Sequence, residues 1–194
     1  MNWTIEAKVL PLAHFGGHLY LEIFDPEGKR VCQINGLSYS HRFNKIVPMG
    51  IPGDQLKAYV CNRTILGVTS GYNRDNHPHK GYVIYKGSEE DIQKIITATK
   101  DLSVQFNDEG FLYNVLSFNS NTVFSSMLQK ISEIVDIDQK AVRKAIAIRL
   151  ITPGVKTDVI NGRQNLTDLF NGNKQRLKRK APPKPAAKNK NFKK

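Results

Sequence analysis

Two residue types in this chain could do acyl chemistry together: a hydroxyl at the start of a helix and a histidine on a strand. The hydroxyl is Ser120, within Phe118-Asn119-Ser120-Asn121-Thr122-Val123-Phe124. Val123, Met127, Ile131 and Ile134 follow at spacings of four, four and three, so a helix with one apolar face is predicted, with Asn121 or Thr122 capping its first turn. Ser120 is expected just ahead of it. There the unpaired N–H groups and the positive end of the helix dipole favour an anion or a developing oxyanion. The plainer role for the same residues is an ordinary N-cap.

The histidine is His18, in the β-rich run His18-Leu19-Tyr20-Leu21-Glu22-Ile23-Phe24. It is the candidate general base, against the alternative of a strand histidine that satisfies a local contact. Asn119 and Asn121 are candidates to orient His18 or to donate to an oxyanion, with capping as the competing role for Asn121. Tyr113 reads as a core aromatic. His14 lies four residues before His18, but across Gly16-Gly17, so helical two-histidine metal geometry does not apply. Asp75, His77 and His79 could be drawn as a metal set, yet they fall in a Pro- and Asn-rich run that reads as a solvated connection. No metal and no cofactor are predicted.

These residues need a scaffold. Residues 1 to 86 read as short strands and turns: Thr4 to Leu10, His18 to Phe24, the turn Asp25-Pro26-Glu27-Gly28, Arg30 to Ile34, then Leu56 to Cys61 and Gly81 to Tyr85. Such strands predict a mainly antiparallel sheet. The period then changes. Ser88 caps an acid-rich helix start, and Ile92, Ile95, Ile96, Thr99 and Leu102 give it an apolar face ending near Phe106. A short strand from Leu112 to Leu116, the Ser120 helix and a helix from Gln139 to Leu150 follow, closed by Pro153-Gly154. A short amphipathic turn is expected around Leu166, Leu169 and Phe170.

The chain has 194 residues and a formal charge of +12, but the charge is uneven. Residues 174 to 194 hold ten Lys and Arg and no acid, which leaves 19 bases against 17 acids in residues 1 to 173. One globular domain, residues 1 to 173, and a disordered basic tail, residues 174 to 194, are therefore expected. Within the tail, Arg176, Lys178, Arg179 and Lys180 form a polyanion-binding cluster that reads as sequence-indifferent. Cys32 and Cys61 show no metal or redox spacing and are expected as buried free thiols. No apolar run reaches the length of a membrane span, and the N-terminus lacks a conventional secretion signal. A cytoplasmic location is the default expectation, with export by a non-classical route as the exception.

Several segments together resemble a family. Gly17 to Gly28, Tyr85-Lys86-Gly87-Ser88-Glu89-Glu90-Asp91, Tyr113-Asn114, Asn119 to Val123 and Pro153-Gly154 with Asp158 occur in the order found in bacterial circularly permuted NlpC/P60, papain-like domains. The likeness spans about residues 4 to 160. Lecithin:retinol acyltransferase-like and PPPDE-type proteins share the order: a strand histidine first, then a nucleophile at a helix N-terminus in an Asn-Cys-x-x-Phe-like motif. The resemblance implies an α+β fold of permuted papain-like type, with His18 as the strand histidine and Ser120 at the cysteine position. That departure matters, because a thiolate paired with imidazolium exists at neutral pH, whereas a serine must lose its proton during attack.

The expectation is a papain-like hydrolase or acyltransferase relative, an effector or toxin-associated module, acting on a peptide, amide or ester through Ser120, His18, Asn119 and Asn121. The alternative is an inactive binding module whose tail contacts nucleic acid, an anionic membrane or an acidic partner.

Overall fold

A computed structural model describes residues 2–12, 16–47, 50–61, 81–114 and 119–147. Among these residues six strands form one antiparallel sheet: β1 (Trp3–Leu12), β2 (Gly16–Phe24), β3 (Arg30–Ser40), β4 (Lys45–Val47), β5 (Gln55–Val60) and β6 (Gly81–Gly87). The helices described after them are α1 (Glu89–Asp108), α2 (Ser120–Ser132) and α3 (Gln139–Ala147). The architecture is α+β, a small antiparallel sheet with packed helices. Sheet order is β4-β3-β2-β1-β6, with β5 paired to β3. Among the described residues no helix is long and apolar enough to cross a membrane.

Alternation along the strands makes two unlike faces. Ile5, Ala7, Leu19, Leu21, Ile23, Ile34, Leu56 and Ala58 are buried on one. Against it α1 lies along β5, α2 along β3 and β2, and α3 along β6 and β1. The other face carries His18, Tyr20, Glu22, Gln33 and Asn35, polar but also buried. Its ions are paired there: Lys8 contacts Glu6 at 2.7 Å, Arg30 contacts Glu22 at 3.1 Å, and Gln33 Nε2 donates to Glu22 at 3.3 Å. Burial pushes the Tyr20 phenol well above its ordinary range, so it stays protonated beside them.

The turn after β2 forms as its residues dictate. Gly28, at φ +79, donates to the Asp25 carbonyl, and Asp25 Oδ1 accepts from Lys29 N at 2.7 Å. Helix α1 also starts as expected: Ser88 accepts from Asp91 N at 3.1 Å, while Asp91 accepts from the Ser88 and Tyr85 hydroxyls. Its buried stripe is Ile92, Ile95, Thr99, Leu102, Ser103 and Phe106.

Four details differ from the sequence reading. Strand β3 runs on through Asn35-Gly36 to Ser40, because β5 pairs with Ile34 to Tyr39. Strand β4 was not expected, and its ladder pairs it with Ser38–Ser40. Of the strand expected from Leu112 to Leu116, the described part shows isolated bridge residues at Leu112 and Asn114 rather than a continuous strand, with Leu112 opposite Gln55. Finally, Cys32 and Cys61 are joined as a disulfide rather than free. The reason is register. Antiparallel pairing of β3 with β5 brings residues 29 apart in sequence side by side, and the Cys61 N–H donates to the Gln33 carbonyl at 2.8 Å. Spacing along the chain carries no trace of that pairing.

Candidate functional site

Strand β2 carries His18 into a place where the sheet opens. Ladder pairing of β2 with β3 ends at Leu21 opposite Ile34, so the β2 segment before it has β1 on one side and no β3 partner on the other. The first turn of α2 takes that position. Asn121 Oδ1 accepts from Leu19 N at 2.9 Å, and Asn121 Nδ2 donates to the Gly17 carbonyl at 3.1 Å. One side-chain amide thus does what a strand peptide would, holding the backbone on either side of His18.

Gly36 lets the helix come this close. A Cβ built there would lie 2.6 Å from Val123 Cβ and 2.8 Å from the Ser120 carbonyl oxygen. Any side chain at this position would push α2 off the sheet. The helix start is then fixed by Asn119, whose side chain accepts from Asn121 N at 2.9 Å, and whose own N–H donates to Thr122 Oγ1 at 3.3 Å. The Asn119 side chain also accepts from the Thr122 backbone N–H, which with the bond from Asn119 N to Thr122 Oγ1 makes a reciprocal capping box. The cap is therefore Asn119, not Asn121 or Thr122, and Ser120 is the first helical residue rather than one just ahead of the helix. A short amide caps as well as Thr122 does, so the tetrapeptide alone leaves the boundary open by two residues.

The His18 ring lies on the polar face, stacked near Tyr20 with centroids 6.0 Å apart. Its Nε2 lies 2.6 Å from Asn35 Oδ1, on β3. An amide oxygen only accepts, so Nε2 carries the proton and Nδ1 bears the basic lone pair. This is how a third group fixes the tautomer and orientation of a general base. Asn35 was missed in the sequence because Asn-Gly reads as a turn. The signal that could have found it is the apolar alternation resuming at Leu37.

Each expected site residue can now be placed. His18, Asn119, Ser120 and Asn121 all lie where β2, β3 and α2 meet, and all are buried, His18 at 2% exposure and Ser120 at 7%. Asn119 is occupied in capping and Asn121 in the sheet ladder, so neither orients the His18 ring through the contacts described; Asn35 does. Tyr113 is a buried core residue packed beside Gly50, as expected. A separate small pocket, with a volume of about 20 Å³, lies further down α2, lined by Phe124, Ser125, Leu128 and Gln139 among others.

Among the described residues no cluster of His, Cys, Asp and Glu could hold a metal ion. His14, Asp75, His77, His79, the Pro153-Gly154 stop, Asp158, the turn around Leu166, Leu169 and Phe170, and the tail cluster Arg176, Lys178, Arg179 and Lys180 lie outside the described residues. Comparison of the chain with protein-family models, with curated proteins and with solved structures gives no match.

Proposed function

We propose that the protein is a serine-bearing relative of papain-like hydrolases and acyltransferases, acting on a peptide, amide or ester. The observation that carries this reading is the 2.6 Å bond from His18 Nε2 to Asn35 Oδ1, on strands flanking the gap that receives the Ser120 helix start. In the proposed step His18 Nδ1 takes the Ser120 hydroxyl proton as Oγ bonds to the acyl carbon. The proton then passes from His18 to the departing amine or alcohol, and water or a second acceptor releases the acyl group by the reverse sequence. Asn35 positions the ring. The positive end of α2 faces the charge that develops on the acyl oxygen. Because His18 and the Gly36 contact with α2 lie on opposite faces of the sheet, the hydroxyl must reach the ring through the gap between β2 and β3.

A fluorophosphonate probe and a panel of activated acyl esters test this on the full chain. Labelling and turnover lost in Ser120→Ala and in His18→Ala, and reduced in Asn35→Ala, support the reading. No labelling of the parent, or unchanged turnover in Ser120→Ala, rejects it.

The second reading is an inactive module that positions a partner, a peptide-like segment or a polyanion held by the basic tail. Burial of both His18 and Ser120 favours it, since a bulky substrate must displace something to reach them.

A further inference from the structure

The hairpin between β3 and β4 sets an exposed aromatic ring among cations. Its tip, His41-Arg42-Phe43-Asn44-Lys45, is exposed throughout, and Phe43 is 55% exposed although it is a large apolar ring. Two cations sit over that ring, Arg42 at 5.3 Å and Lys45 at 5.7 Å from its centroid. Behind them Lys57, on β5, lies 5.0 Å from the centre of the Tyr39 ring, and His41 meets the same ring edge-on at 5.2 Å. From Val31 to Gly53 the chain contains no acidic residue. The tip is also built rather than loose. Tyr39 donates its hydroxyl to Asn44 Oδ1, and Asn44 takes a left-handed conformation at φ 48 that turns the chain.

We infer that this hairpin docks the protein on an anionic lipid surface. Three fixed cations, Arg42, Lys45 and Lys57, match the charge of acidic headgroups, and stacking on rings removes part of the entropy such side chains lose on binding. An aromatic ring pushed past the cations fits the boundary between headgroups and acyl chains, where its apolar area is covered. Nucleic acid fits less well. Its bases would need the face of Phe43 for stacking, and the two cations already lie over that ring. The inference stands on the hairpin alone and does not depend on acyl chemistry at Ser120.

The test uses the full chain, whose basic tail is the same in every variant. Sedimentation is measured with phosphatidylcholine vesicles, with and without phosphatidylserine, and affinity is measured for a random DNA duplex at the same salt. Phe43→Ser is expected to lower partitioning onto the phosphatidylserine vesicles about tenfold while leaving duplex affinity unchanged. The double variant Arg42→Gln with Lys45→Gln is expected to lower it at least as much. Circular dichroism and the urea midpoint confirm that both variants fold. Equal vesicle binding by parent and Phe43→Ser overturns the inference, as does failure of the parent to bind. A Phe43→Ser variant that weakens duplex binding as much as vesicle binding assigns the hairpin to nucleic acid instead.

Discussion

The amide of Asn121 completes the hydrogen bonding of β2 at Leu19, across more than 100 residues of chain: it accepts from Leu19 N at 2.9 Å and donates to the Gly17 carbonyl at 3.1 Å. The two bonds tie the start of α2 to the strand that carries His18. Asn121→Ala leaves both backbone groups buried without this partner, and each such group costs about 1–3 kcal/mol. A loss of about 2–6 kcal/mol is therefore expected in urea unfolding. Asn121→Asp keeps the acceptor for Leu19 but faces the Gly17 carbonyl with an oxygen, so it should fall well below the parent as well. A loss under about 0.5 kcal/mol in Asn121→Ala would mean that water serves the strand equally well.

Gly36 makes a matching demand from β3. The Cβ of Gly36→Ala would stand 2.6 Å from Val123 Cβ and 2.8 Å from a backbone oxygen, Ser120 O, neither of which can swing away. Overpacking of this kind costs about 1–3 kcal/mol. Because relief requires α2 to lift at its first turn, any activity that needs Ser120 near His18 should fall further than stability does. Measuring turnover under conditions where Gly36→Ala remains folded separates the two effects. Unchanged stability in this variant would show that the helix start sits less tightly on β3.

What the sequence made legible follows from the range of each interaction. Helix α1 could be read almost to the residue, because Ser88, Asp91 and the stripe from Ile92 to Phe106 are local signals. His18 could be placed on a strand, and Ser120 at a helix start, for the same reason. Asn35 could not be singled out, since Asn-Gly followed by Leu37 looks like a turn until β5 is known to pair there. Roles split between Asn119 and Asn121 in a way that local chemistry leaves undecided: both can cap, and only the distant backbone of Leu19 and Gly17 recruits one of them. The disulfide was hidden by the same long-range pairing.

That disulfide closes a loop of 29 residues between β3 and the end of β5, a crosslink whose chain-entropy effect is about 3–4 kcal/mol. Replacing both cysteines, Cys32→Ser with Cys61→Ser, is expected to lower the unfolding free energy by that order. Thiol titration of the native oxidised protein should find neither cysteine free. A full complement of two reactive thiols, with no stability change in the double variant, would restore the expectation drawn from spacing alone.

Alkaline stability offers a check on the burial of the sheet face. Burial holds the Tyr59 phenol neutral and pushes its pKa from 10.0 up to about 12, with the neighbouring Tyr39 adding to the shift. Tyr20 and Tyr113 are raised for the same first reason. In the unfolded chain these phenols ionise near their ordinary value of 10.0. Their contribution to stability is therefore fully present below about pH 10. It is lost as pH rises toward the folded values, because the unfolded state then releases protons that the folded state keeps. The urea midpoint is expected to hold to about pH 9 and to fall between about pH 10 and about pH 12, in step with tyrosinate absorbance. Tyr59→Phe should shallow that fall, since it removes one of the phenols responsible. A midpoint that stays level through the same window, or a fall equally steep in Tyr59→Phe, would count against burial of Tyr59 as a source of the pH dependence.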